Sequence, residues 1–243
     1  MSENLIFSLH GFLGQASDWS AIEKNLQLTS KFDFRAEDLF SKSSVPILEF
    51  EDYIEILSKK IDAYKKNSEK KVFVGYSLGG RLGLHLLRNN PEQFDHYVFV
   101  STHPGLGEDE QSERNKRLMV DMKWASLISE GNWANFISDW NKQPVFENSV
   151  GEAVRHYDDY DIDKLKRALV IWSVSQQEDF RELIQDFQSK ITWVVGERDG
   201  IYLRRSEDML QKKILLNFKR IASGHRILLE QPLEISNLLS SLF

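Results

Sequence analysis

Cysteine is absent from the 243-residue chain, which excludes disulfides and thiolate-held metals and fits a reducing compartment. A basic excess is also absent: 31 Lys and Arg face 37 Asp and Glu, for a formal net charge of −6. That balance argues against a general nucleic-acid or anionic-membrane surface, though it leaves room for a local cluster of arginines. No apolar run approaches the roughly 18 residues of a membrane span. The first strand-like run, Leu5 to Leu9, begins almost at Met1. No secretory leader is therefore expected, and the expected location is cytoplasmic. Prolines number 5, and no Pro/Gly linker, internal repeat or low-complexity tract interrupts the chain; nothing resembles a coiled coil, so a monomer is the default expectation. What remains, 41% hydrophobic and 28% charged residues, is ordinary for one large globular domain or a domain with an insertion.

Short apolar runs alternate with longer amphipathic stretches. Leu5–Leu9, Lys71–Gly75, Tyr97–Ser101 and Ile191–Val195 read as strands buried on both faces, and Asn217–Ile221 as a last one. Phe50–Lys66 and Gly79–Arg88 read as helices, the second stopped by Asn89-Asn90-Pro91. The alternation predicts an α/β architecture with right-handed crossovers and a mostly parallel sheet flanked by helices. From about Gly105 to about Phe180 no convincing strand occurs. This predicts a core of residues 1–104 and 181–243 with a helical cap at 105–180.

Gly75-Tyr76-Ser77-Leu78-Gly79 lies between a predicted strand and a predicted helix and fits the G-x-S-x-G nucleophile elbow. A serine hydroxyl needs an imidazole to take its proton and a carboxylate to orient the imidazole. Gly196-Glu197-Arg198-Asp199-Gly200 follows one later predicted strand and Ser223-Gly224-His225 follows the last. Ser77, Asp199 and His225 thus occur in the chain order that α/β-hydrolases use, each at a strand end. Glu197 is the rival to Asp199. His10-Gly11-Phe12-Leu13-Gly14 follows the first strand, and the backbone amides of Phe12 and Leu78 are the expected oxyanion donors. His10 reads as a structural member of that loop. Histidines 10, 85, 96, 103 and 156 show no metal spacing, so no metal site is expected.

The loop His10–Gly14 with Asp18-Trp19, the elbow through Gly80-Arg81, and Gly196–Asp199 resemble segments of many α/β-hydrolases. Ser101-Thr102-His103-Pro104-Gly105-Leu106 and Asp139-Trp140-Asn141-Lys142-Gln143-Pro144-Val145-Phe146 resemble, more narrowly, the 2-succinyl-6-hydroxy-2,4-cyclohexadiene-1-carboxylate synthases of the menaquinone pathway. The resemblance runs from Ile6 to Pro232. It implies an α/β-hydrolase fold and a lyase that needs no cofactor or metal. Such an enzyme takes a proton from a succinyl-enolpyruvyl cyclohexene substrate and eliminates pyruvate. Ser77, activated by His225 and Asp199, would abstract the proton.

The partner implied is a small-molecule polycarboxylate, so guanidinium groups are expected in the site. Arg81, four residues after Ser77, can face the same cavity, and Arg117 shares a helix face with Asp121 and Trp124. Tyr76 and Trp140 match pocket-wall positions of the family. The third family arginine falls on Arg155 if two residues are inserted after it, whereas direct register places Tyr157 there. Glu37–Ser41 departs from the Asp-x-x-Gly-x-Gly loop of many relatives, a loop expected to shape the wall. Two other readings use the same residues: a carboxylesterase or thioesterase with Ser77 as true nucleophile, and a non-catalytic ligand-binding member of the fold. The intact Ser77, Asp199 and His225 set argues against the last.

Overall fold

The computed structural model describes residues 4–28, 32–64 and 68–243. Its described strands are β1 (Asn4–Leu9), β2 (Phe32–Glu37), β3 (Lys71–Tyr76), β4 (His96–Val100), β5 (Ile191–Gly196) and β6 (Asn217–Ile221). They form one parallel sheet in the order β2-β1-β3-β4-β5-β6. The strands expected from apolar density are all found, with ends moved by a residue. The expected strand end at Ser101 is outside β4, because that residue turns to φ 46°.

The strand β2 is one that apolar density does not announce. Its sequence, Phe-Asp-Phe-Arg-Ala-Glu, sets a charge at every second position, and it lies at the sheet edge with only β1 beside it. Asp33 and Arg35 pair at 2.6 Å, and Arg35 reaches 5.1 Å from the Tyr64 ring centre, so the charged positions are used at the rim.

Alternation along the strands sorts side chains by size. Phe7, Phe73, Tyr97, Phe99 and Trp193 point to one face, while Ile6, Val72, Val74, Val98, Val100 and Val194 point to the other. The aromatic face is covered by α2 (Phe50–Tyr64) and α3 (Leu78–Asn89). The helix expected to reach Lys66 is described as far as Tyr64; Lys65 and Lys66 lie outside the described residues. On the aliphatic face sits α1 (Ser20–Gln27), with Trp19 fully buried just before it.

Between β4 and β5 the chain forms α4 (Gln111–Leu127), α5 (Trp133–Asn141), α6 (Ile162–Ile171) and α7 (Arg181–Asp186), joined by short 3-10 turns and, among the described residues, no strand. Beyond β5 come α8 (Gly200–Gln211), then α9 (Ile227–Glu230) and α10 (Pro232–Ser240) after β6, with α10 packed beside α1. No helix among the described residues is long and apolar enough to cross a membrane.

The strand order sets where a site can form. The chain moves outward from β1 to β2, then returns to the other side of β1 to make β3. The loops leaving β1 and β3 therefore diverge at the carboxyl edge and open a crevice, the usual ligand position in open α/β sheets.

Candidate active site

The turn from β3 into α3 is built at backbone contact distance. A β-carbon on Gly75 would stand 2.6 Å from the Gly79 carbonyl oxygen, and one on Gly79 would stand 2.2 Å from that of Leu9. Only glycine lets the helix start this close to two strands. Ser77 between them has φ 51° and ψ −109°, a conformation that costs an L-residue on the order of 1–3 kcal/mol. Surrounding bonds hold it there: its N–H donates to the Val100 carbonyl at 2.9 Å, and its carbonyl accepts from Arg81 N–H at 3.1 Å.

Asp199 and His225 arrive on the loops after β5 and β6 and are buried to 1% and 3% exposure. The Asp199 carboxylate lies 2.7 Å from His225 Nδ1. A carboxylate can only accept there, so Nδ1 carries the proton and Nε2 is left as acceptor. Nε2 stands 3.4 Å from Ser77 Oγ. Glu230 ties the two loops together, accepting from Gly224 N–H at 3.0 Å and pairing with Arg198 at 2.7 Å. Glu197, the rival to Asp199, is exposed, and its N–H is spent on the Ile221 carbonyl. Aromatic rings enclose the imidazole: Tyr202 at 4.7 Å, Tyr76 at 5.5 Å and Phe146 at 5.6 Å between centres.

The loop after β1 abuts this group, since a β-carbon on Gly11 would lie 3.4 Å from Ser77 Cβ. The Phe12 and Leu78 amides have no protein acceptor among the described residues. Leu78 is the first residue of α3, where helix geometry supplies no intrahelical partner. His10 is structural: fully buried, its Nδ1 donates to the Gly11 carbonyl at 2.8 Å and its Nε2 accepts from Leu39 N–H at 2.9 Å.

A cavity of about 710 Å³ lies over Ser77 and His225. Its wall includes Tyr76, Arg81, Arg117, Trp140 and Arg155, which the structure therefore brings together around the serine. Arg81 is 8% exposed and has no carboxylate partner among the described residues. Its Nη1 donates to the Trp172 carbonyl at 2.6 Å and, at 3.4 Å, to Gln177 Oε1. Burial pulls its pKa down to about 10, which still leaves it charged at neutral pH.

Arg117 and Arg155 are placed differently. Arg117 Nε donates to buried Asp121 at 2.8 Å, and Asp121 accepts in addition from Ser173 Oγ at 2.6 Å. Arg155 pairs with Asp18 at 2.7 Å. Partial removal from water works against both guanidinium groups, less at the half-exposed Arg117 than at Arg155, but Asp121 and Asp18 hold their pKa values above the ordinary one. Trp140 packs on Phe12 at 4.7 Å and on Trp124 at 5.2 Å.

Tyr157 does not line the cavity; it packs edge-on against Trp133 at 5.5 Å within a 3-10 turn, and Arg155 takes the wall position. The expectation that residues 37–41 shape the wall is corrected, because none of them lines the cavity. The Asp38 carboxylate instead accepts from Phe40 and Ser41 N–H, and Phe40 packs behind Phe12 at 5.7 Å. This loop is thereby folded without glycine, one layer back from the site.

Sequence reasoning missed Tyr202, Arg205, Arg226, Asp18 and His103 as cavity-lining groups. Arg226 had a signal in following His225 directly. Its guanidinium lies over the Phe146 ring at 4.4 Å and donates to Asn141 Oδ1 at 2.7 Å. Tyr202 had a weaker one, as a first-turn residue of the helix that Asp199 starts.

Comparison with known proteins agrees with this geometry. A sequence model of the α/β-hydrolase fold family matches residues 4–232. A Haemophilus influenzae protein provisionally named 2-succinyl-6-hydroxy-2,4-cyclohexadiene-1-carboxylate synthase is 30% identical, covering 81% of this chain and 81% of its own. The Salmonella agona protein of that name is 26% identical, over 85% of this chain and 81% of its own. Among solved structures, MenH from S. aureus superposes with a TM-score of 0.83 at 21% identity, over 99% of this chain and 93% of the other. An esterase from Exiguobacterium antarcticum shares the fold at a TM-score of 0.74 and 15% identity, over 99% of this chain and 92% of its own.

Proposed function

Because the chain belongs to the α/β-hydrolase fold family, and within it to the 2-succinyl-6-hydroxy-2,4-cyclohexadiene-1-carboxylate synthases, we propose that it is the lyase of menaquinone biosynthesis that eliminates pyruvate to form that diene. The observation that carries this reading is the union of a Ser77–His225–Asp199 relay with three arginines, Arg81, Arg117 and Arg155, in one cavity of about 710 Å³. An esterase for neutral acyl groups has no use for such a wall. A tricarboxylate does, since each carboxylate leaving water needs charged donors.

The steps balance with the chain's own groups. His225 Nε2 takes the Ser77 proton, and Ser77 Oγ removes a proton from substrate carbon. The C–H electron pair is held as an enolate whose oxygen faces the Phe12 and Leu78 amides. Collapse of the enolate forms a ring C2=C3 bond, moves the C3=C4 pair to C4=C5 and breaks the C5–O bond to the enolpyruvyl group. That group leaves as enolpyruvate, takes the proton held on His225 Nε2 and becomes pyruvate, with Ser77 left as the hydroxyl. Asp199 keeps Nδ1 protonated throughout and stabilises the imidazolium. The aromatic rings around His225 keep bulk water from quenching the enolate. The segment from α4 to α6 acts as the cap, supplying Arg117 and Trp140 from helices and Arg155 from the stretch between α5 and α6.

The test is pyruvate release from 2-succinyl-5-enolpyruvyl-6-hydroxy-3-cyclohexene-1-carboxylate, with p-nitrophenyl acetate as the rival substrate. The expected result is a kcat/KM above ~10⁴ M⁻¹s⁻¹ for pyruvate release, lost in Ser77→Ala. Turnover of the ester alone would overturn the reading in favour of a hydrolase.

A further inference from the structure

Ser101 to Leu106 leaves the carboxyl end of β4, and the proton transfer makes no use of it. Its histidine nevertheless lines the cavity beside Arg81, Arg117 and Arg205. His103 is 6% exposed, and its Nδ1 lies 3.0 Å from the Gly105 amide nitrogen. An amide nitrogen only donates, so Nδ1 is the acceptor and the proton of the neutral ring sits on Nε2. Nε2 has no protein partner among the described residues. Unlike both ring nitrogens of His85, it is not sealed from solvent, and it belongs to a residue that lines the cavity.

The ring is held in place and held neutral. The fully buried Gln177 donates to the His103 carbonyl at 3.0 Å and accepts from Arg81 Nη1 at 3.4 Å, so one amide sets both residues. Tyr202 stands edge-on to the ring at 6.3 Å. Burial first, then the positive charges of Arg205, Arg81, Arg117 and Arg181, keep the imidazole pKa well below its ordinary value. Arg81, with Nη1 committed to Trp172 and Gln177, has its other N–H groups without a protein acceptor among the described residues. A carboxylate offers about four lone-pair sites, more than one guanidinium edge takes up. A further cation here would be repelled by the arginines, whereas a neutral N–H adds a directed donor without adding charge.

We propose that His103 is a substrate-binding residue, its Nε2–H donating to the carboxylate that Arg81 holds. The proposal rests on the lyase reading only for what molecule bears that carboxylate. It is tested on protein labelled with ¹⁵N-histidine, with succinate as the probe anion. The expected result is one imidazole that keeps its Nε2–H signal from pH 5 to 8 and shifts it downfield as succinate is added. In pyruvate release, His103→Leu should raise KM about tenfold to a hundredfold with kcat changed less than about threefold. His103→Gln, which restores an N–H donor, should stay within about threefold of wild type in both. A His103→Leu enzyme with wild-type KM, or a His103 ring that gains a proton near its ordinary pKa, overturns the proposal. Should no pyruvate form while succinate still moves the Nε2–H signal, the lyase reading falls and the carboxylate subsite stands.

Discussion

Ser77, Asp199 and His225 stand at the ends of parallel strands, bonded to one another, with Asp199 and His225 nearly sealed from solvent, whereas Arg117, Trp140 and Arg155 reach the same cavity from the helical segment between β4 and β5. The inserted arginines are each matched by an acid, Asp121 or Asp18, and their side chains are 44% and 14% exposed. Arg81 belongs to neither group: it sits on the elbow helix, buried like Asp199 and His225, yet has no acid partner among the described residues. A guanidinium already neutralised by a carboxylate gives less to an incoming anion than one whose charge is unmatched. Under the proposed lyase reading, the sheet edge would carry the chemistry, Arg81 the strongest anion contact, and the inserted segment the shape and register of the substrate.

The largest effects should come from the sheet edge. Asp199→Asn, which inverts the tautomer His225 needs, should lower kcat for pyruvate release by about 10³ to 10⁴, as should Ser77→Ala. Next come the arginines. Arg81→Met should cost about 10² in kcat/KM, mostly through KM, while Arg117→Met and Arg155→Met should cost about tenfold each. Since Arg155→Met strands the Asp18 carboxylate in the wall, adding Asp18→Asn should recover part of that loss. Equal losses at Arg81 and Arg155 would erase the distinction between unmatched and matched arginines.

The smallest effect concerns stability of the elbow helix. His85, one turn beyond Arg81, is stacked on Phe50 at 3.9 Å and meets Phe180 edge-on at 4.7 Å. Burial, with Arg88 and Arg81 nearby, pulls its pKa from 6.5 to about 3. The unfolded chain therefore binds this proton first, and its stabilising neutrality is complete above pH 6.5 and is lost as pH falls toward 3. In that window folding stability should drop by about 1.4 kcal/mol per pH unit from this group. Urea unfolding at pH 7 and pH 5 should show a shallower acid loss in His85→Leu than in wild type; parallel losses would mean that the ring accepts a proton in the folded state.

The two regions also differed in how far they could be read from the chain. Ser77, Asp199 and His225 each follow a recognisable strand in a short motif, and a strand end leaves little choice of position. Arg81 followed from helix spacing. In the inserted segment, register depended on a 3-10 turn at Tyr157–Asp159, and only the fold separates Arg155 from Tyr157. Glu37–Ser41 misled because its departure from the relatives' loop looked like a changed wall, when Phe12 stands between it and the cavity. Strand β2 was hidden by charges that an edge position tolerates. Tyr202 and His103 carry little local signal of function beyond a first helical turn and a family-like motif, because what marks them is the company of residues distant in sequence.

Whether Ser77 works as a base or as an acylated nucleophile separates a lyase from a hydrolase, and intact-protein mass spectrometry of enzyme quenched during turnover asks this directly. With the enolpyruvyl substrate in excess, pyruvate should accumulate while the chain keeps its unmodified mass. A substrate-derived adduct on Ser77 that forms and decays with turnover would contradict it.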